Sequence, residues 1–136
     1  MFGMMRSPAQ TYSTVSLDAA VETADPHRLI LMLFDGAIAA VSVAKLHMNA
    51  GEIAQKGMAI SKAIDLISNG LLASLDMEAG GELAERLAAL YEYMTQRLLF
   101  ANLKNSAAAL DEISELLASL REAWAAIAPG NQQVAA

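Results

Sequence analysis

The sequence predicts an all-α protein: an antiparallel up-down bundle of four helices behind a mobile N-terminal arm. Three observations lead there. Apolar residues make up 55% of the chain but aromatics only 5%, so the apolar mass is mostly Ala, Leu, Ile and Met, the composition of a helical core. No proline lies between Pro26 and Pro129, so the strongest helix breaker is missing from that span. Within it, apolar residues recur every three or four positions in four runs, and no alternating strand pattern competes.

Residues 1–24 are polar, small and weakly periodic, with SLDAAVETA (16–24) long enough for a turn or two behind Ser16 as N-cap. This is the arm. Asp25-Pro26 then reads as a helix start, with Asp as N-cap and Pro at the first helical position, where its missing N–H costs nothing. The first helix is expected over about 25–49, stopped by Gly51. The second, about 52–75, carries Ile53, Gly57, Ile60, Ile64, Ile67 and Leu71 on one face and ends before MEAGGE (77–82), where Gly80-Gly81 is expected to turn. The third, about 82–103, shows Leu83, Leu87, Leu90, Met94, Leu98 and Ala101. Asn105 or Ser106 can cap the fourth, about 106–127, with Leu110, Ile113, Leu117, Leu120, Trp124 and Ile127. Pro129-Gly130 stops it, so the bundle is expected to span 25–128, leaving 129–136 as a flexible tail. Helices of this size are roughly 30–35 Å long, and short turns between them favour antiparallel neighbours.

Composition excludes several function classes. The net charge of −6 is concentrated in the second half: residues 1–75 hold five Lys/Arg against six Asp/Glu, and 76–136 hold four against nine. Such a surface does not suit nucleic acid, which needs clustered cations. With no cysteine there is no disulfide framework, thiolate site or Cys nucleophile. Neither His27 nor His47 follows a Glu at the spacing of a di-iron bundle, because Ala24 and Ala44 stand three residues before them. The carboxylates Asp76, Glu78, Glu82, Glu85 and Glu92 match no calcium loop and read as a solvated helix face. No phosphate loop is present. The expectation is a protein without catalysis, metal or cofactor. MFGMMRSPAQ lacks the apolar core of a secretory signal, and 29–41 falls short of the roughly 20 apolar residues of a membrane span. The chain therefore reads as soluble and cytoplasmic, with no membrane insertion.

One stretch exceeds what a bundle needs. LILMLFDGAIAAV (29–41) carries a single charge, Asp35, and is apolar nearly all round. Leu29, Leu33, Gly36, Ala40 and Val43 can face the core; Ile30, Met32, Phe34, Ala37, Ile38 and Val41 cannot all join them. The second helix has a weaker excess that includes Met58. Surplus apolar surface is covered by the chain's own arm, by a second copy, or by a partner's amphipathic helix. An irregular bundle that absorbs the surplus as core is the alternative.

Several stretches in order resemble the FliS family of flagellar secretion chaperones: TADPHRLILMLFDGAI (23–38), the run from KGMAISKAIDLISNGLL through LYEYM and RLL to ANLKN (56–105), and LDEISELLASLREAW (110–124). The resemblance implies a four-helix bundle that binds the disordered C-terminal segment of flagellin, prevents its premature polymerisation and hands it to the flagellar type III export gate. It makes Ile30, Leu33, Phe34, Ala37, Ile38, Val41, Met58, Ile67 and Leu71 the candidate groove for flagellin. Tyr12, with Val15, matches the arm that covers the groove and contacts the cytoplasmic domain of the gate. Asp35-Gly36 matches the family's D-G pair, with Gly36 permitting close helix approach. Without the resemblance, the residues alone leave a homodimer with a structural or scaffolding role as the alternative.

Overall fold

The structure, a computed structural model, describes residues 25–127. Among them the chain forms four helices and no strand. Helix α1 spans Pro26–Asn49. Helix α2 runs over Ile53–Asp65 and continues as a π-helical segment, Leu66–Leu72. Helix α3 is Met77–Lys104 and α4 is Ala107–Ala126. The arm and the tail, with Tyr12 and Val15, lie outside the described residues.

Local chemistry sets the helix ends. The Asp25 carboxylate accepts from the Arg28 N–H at 2.7 Å, and Pro26 follows at the start of α1. Gly51, at φ +74°, makes the bend into α2. The third helix starts earlier than the glycine pair suggested. Asp76 Oδ1 accepts from the N–H groups of Glu78 and Ala79 at 3.1 and 3.0 Å, which nucleates a turn through MEAG. The backbone then breaks at Gly81, whose φ of 53° and ψ of −132° are not helical, so a first turn through MEAG meets the long helix across a kink at the expected glycine turn. At the far end Asn105 adopts the left-handed conformation (φ 54°), and Ser106 Oγ accepts from the Ala109 N–H at 3.1 Å to open α4.

Helix α1 packs against both α2 and α4, and α3 closes the ring between them. That placement accounts for much of the surplus in 29–41. Phe34, Ala37, Ala40, Val41, Ala44 and Met48 are all buried, a face rotated from the expected one. Of Leu29, Leu33, Gly36, Ala40 and Val43, only Ala40 is buried, and Val43 is 45% exposed. The reason is size: alanines on this face let two neighbouring helices approach at once, so the core arc is wider than a single stripe. Gly36 serves the α2 side, where a Cβ would stand 3.2 Å from Leu66 Cδ1. By length and composition α1 could cross a membrane; in this fold its core face lies against two helices.

The remaining core comes from Ile60, Ile67 and Leu71 of α2, Met94 and Leu98 of α3, and Leu110, Ile113 and Leu117 of α4. Ile53 and Leu83, expected on core faces, are exposed: Ile53 is the first residue of α2, and Leu83 lies two residues past the Gly81 kink. One cation, Lys56, is buried. Lys56 Nζ donates to Asn102 O and Asn105 Oδ1, both at 3.1 Å, and so satisfies acceptors at the negative end of α3.

Candidate functional site: an apolar cleft at one end of the bundle

Where α1 and α3 begin and α2 and α4 end, the core does not close. A cavity of about 380 Å³ opens there, lined by Ile30, Phe34, Leu71, Leu75, Leu83, Leu87, Tyr91, Leu120, Trp124 and Ile127, with Ser74, Asp76 and Ala123. A second hollow, about 550 Å³ and more open, lies alongside it between Pro26, Leu29, Ile30 and Leu33 of α1 and the stretch from Asn69 to Ser74. Ile30, Ser74 and Trp124 belong to both. Neither lining contains a Lys or Arg.

The second hollow depends on the π-helical turn. Gly70 sits inside it, and a Cβ there would stand 2.9 Å from Leu33 Cδ2. A side chain at this position would displace the Leu33 side chain, which borders the same hollow. Trp124 forms the wall between the two spaces. Its Nε1–H donates to His27 O at 2.9 Å, and His27 Nε2 bonds Trp124 O at 2.7 Å. Since a carbonyl only accepts, that histidine nitrogen carries its proton. The two rings stack at 5.1 Å with 16° between planes, joining the start of α1 to the end of α4.

Apart from Asp76, which caps α3, the charged side chains stand on the flanks of the cavity. Arg121 Nε donates to Asp35 Oδ1 at 2.8 Å, so Asp35 pairs with a basic group of the chain itself. That hydrogen bond holds the Arg121 guanidinium above its ordinary pKa. On the α3–α4 side, Tyr93 donates to Glu112, which also accepts from Arg97 Nε at 2.9 Å; these two bonds hold the Glu112 carboxyl below the usual range. Inside the cleft the effect is opposite in kind. Burial pushes the Tyr91 phenol up to about 12, as expected of a wall that disfavours charge.

The nine groove candidates separate into two groups. Phe34, Ala37, Val41, Ile67 and Leu71 are buried, with Phe34 and Leu71 forming part of the cavity floor. Ile30, Leu33 and Ile38 are half-buried, and Met58 is 73% exposed. The structure brings Ile30, Leu33, Phe34 and Leu71 to the cleft; Ile38 and Met58 line neither space. Sequence reasoning missed Leu75, Leu83, Leu87, Leu120, Trp124 and Ile127 as lining. The signal was present at the start of the α3 stripe and the end of the α4 stripe, which line one cavity with the start of α1.

The family described as Flagellar protein FliS matches residues 8–131 of this chain. The flagellar secretion chaperone FliS of Salmonella typhimurium (strain LT2) is 50% identical over 123 residues, covering 90% of this chain and 91% of that one. Its counterpart in Escherichia coli (strain K12) is 43% identical over 115 residues, 85% of each chain. The flagellar secretion chaperone FliSB of Pseudomonas aeruginosa (strain PAO1) is 45% identical over 113 residues, 83% of this chain and 89% of that one.

Proposed function

The chain belongs to the FliS family of flagellar secretion chaperones, and on that premise we propose that it is a cytosolic chaperone whose apolar cleft holds the C-terminal segment of flagellin until export. The observation that carries this reading is the pair of adjoining apolar spaces at one end of the bundle, lined by half-buried aliphatic side chains and no cation. Apolar side chains at helical spacing on a client would fill them, removing apolar area from water on both partners. Contacts in opposite chain order, His27 with Trp124, Asp35 with Arg121 and Lys45 with Asp111, support the antiparallel up-down arrangement that brings the four lining segments together.

Holding without chemistry suits such a site. A client disordered alone and helical when bound spends roughly 2–5 kcal/mol or more on ordering, which keeps the grip reversible. The arm with Tyr12 and Val15 is the segment we assign to covering the cleft and to contact with the export gate. Titrating the full chain with a flagellin C-terminal peptide tests the reading. A 1:1 complex is expected, with a gain in helicity, a negative heat-capacity change and weak salt dependence. In the same mixture with full flagellin, filament growth should stop at about one chaperone per flagellin without nucleotide. A stable dimer that ignores the peptide would overturn the reading in favour of a scaffolding homodimer.

A further inference from the structure

Tyr91 has chemistry that a purely apolar cleft does not use. The residue is 4% exposed and lines the 380 Å³ cavity. Its backbone carbonyl accepts from Thr95 Oγ1 at 3.1 Å, but among the described residues its hydroxyl has no hydrogen-bond partner. Among the described residues no buried side-chain oxygen lacks a partner, so this hydroxyl is not fully enclosed, and Tyr91 borders the open cavity. The other polar side chains of the lining are engaged: Ser74 Oγ donates to Leu71 O at 2.8 Å, Asp76 caps α3, and Trp124 Nε1 donates to His27.

We propose that Tyr91 is a specificity-determining residue of the cleft, whose hydroxyl makes one hydrogen bond to an uncharged polar side chain carried by the client among its apolar anchors. The proposal rests on the flagellin-holding reading and names the chemistry its client must present: one Asn, Gln, Ser or Thr facing the same way as the aliphatic residues that fill the cavity. An uncharged group fits this position because the lining offers no cation to a carboxylate, and its one carboxylate, Asp76, is engaged in capping α3. A fully aliphatic segment would fill the same volume but bury the phenol unpaired. Sites built this way reject the analogue that lacks the polar group.

Tyr91→Phe tests this by keeping the ring and deleting the oxygen. The free variant should melt at or above the wild-type temperature, because the hydroxyl makes no bond among the described residues. Its affinity for the flagellin C-terminal peptide should fall roughly 5- to 50-fold, the range for a buried hydrogen bond lost with its partner left unpaired. Replacing the peptide's polar residues one at a time by aliphatic ones should identify a single position that weakens wild-type binding and does nothing to the variant. In wild-type protein labelled at the tyrosine Cζ, the Tyr91 signal should move with the parent peptide and stay near its free position with that substituted peptide. Equal affinity of wild type and Tyr91→Phe overturns the assignment alone. So does a variant whose lost binding follows a lowered melting temperature, since that marks a structural role. A wild-type chain that ignores the peptide removes the flagellin reading and this assignment together.

Discussion

Replacing Ile30 by Asp separates the cleft from the core on a single helix. Ile30 is half-buried and is shared by both apolar spaces, so a carboxylate there would stand at their junction. In the free chain one side of it stays wet, and the loss of stability should be modest, about 1 kcal/mol, mostly from lost apolar contact. With a client docked the water is displaced, and neither lining offers a Lys or Arg as counter-ion. An unpaired buried charge of this kind costs about 2–4 kcal/mol even after local relaxation, which is roughly 30- to 1000-fold in affinity. Ile38→Asp is the control, because Ile38 is also half-buried on α1 and packs against the core but lines neither space. Calorimetry with the flagellin peptide, alongside thermal melts by circular dichroism, should show Ile30→Asp folded but nearly blind to the peptide, and Ile38→Asp less stable but still binding. Binding by Ile30→Asp within about threefold of wild type would refute the placement of the site. A folded Ile38→Asp that binds worse than Ile30→Asp would do the same.

Three further outcomes are expected. Lys56→Met removes the charge-assisted bonds to Asn102 O and Asn105 Oδ1 at the opposite end of the bundle, so denaturant titration should show about 1–3 kcal/mol less stability with peptide affinity unchanged. The Tyr91 phenol, raised from 10.0 to about 12 in the fold, stays protonated where the unfolded chain ionises, so its contribution is intact below pH 10 and is lost as pH rises towards 12. Denaturation at several pH values should show about 2–3 kcal/mol of that loss in wild type but not in Tyr91→Phe, and equal curves would contradict it. Deleting residues 1–20 should tighten or speed peptide binding if the arm competes for the cleft; unchanged affinity and kinetics in stopped-flow mixing would refute the competition.

The sequence by itself determined the helical class and most of the punctuation, because these depend on neighbours along the chain. Asp25-Pro26, Gly51, Asn105 and Ser106 act through caps and left-handed turns that need no distant partner. It also carried the family resemblance, through motifs whose order survives without any fold. Which face of α1 is core was decided only by the tertiary structure, since an all-round apolar helix has no preferred side until α2 and α4 both press on it; hence Phe34, Ala37 and Val41 went inside and Val43 stayed out. The same holds for the cleft. It is assembled from the ends of four helices, with a π-helical turn that lets Gly70 meet Leu33 and a Trp124–His27 clasp joining residues 97 apart in the chain. Periodicity records how residues are spaced along one helix, whereas a cavity is defined by where several helices stop filling the space between them.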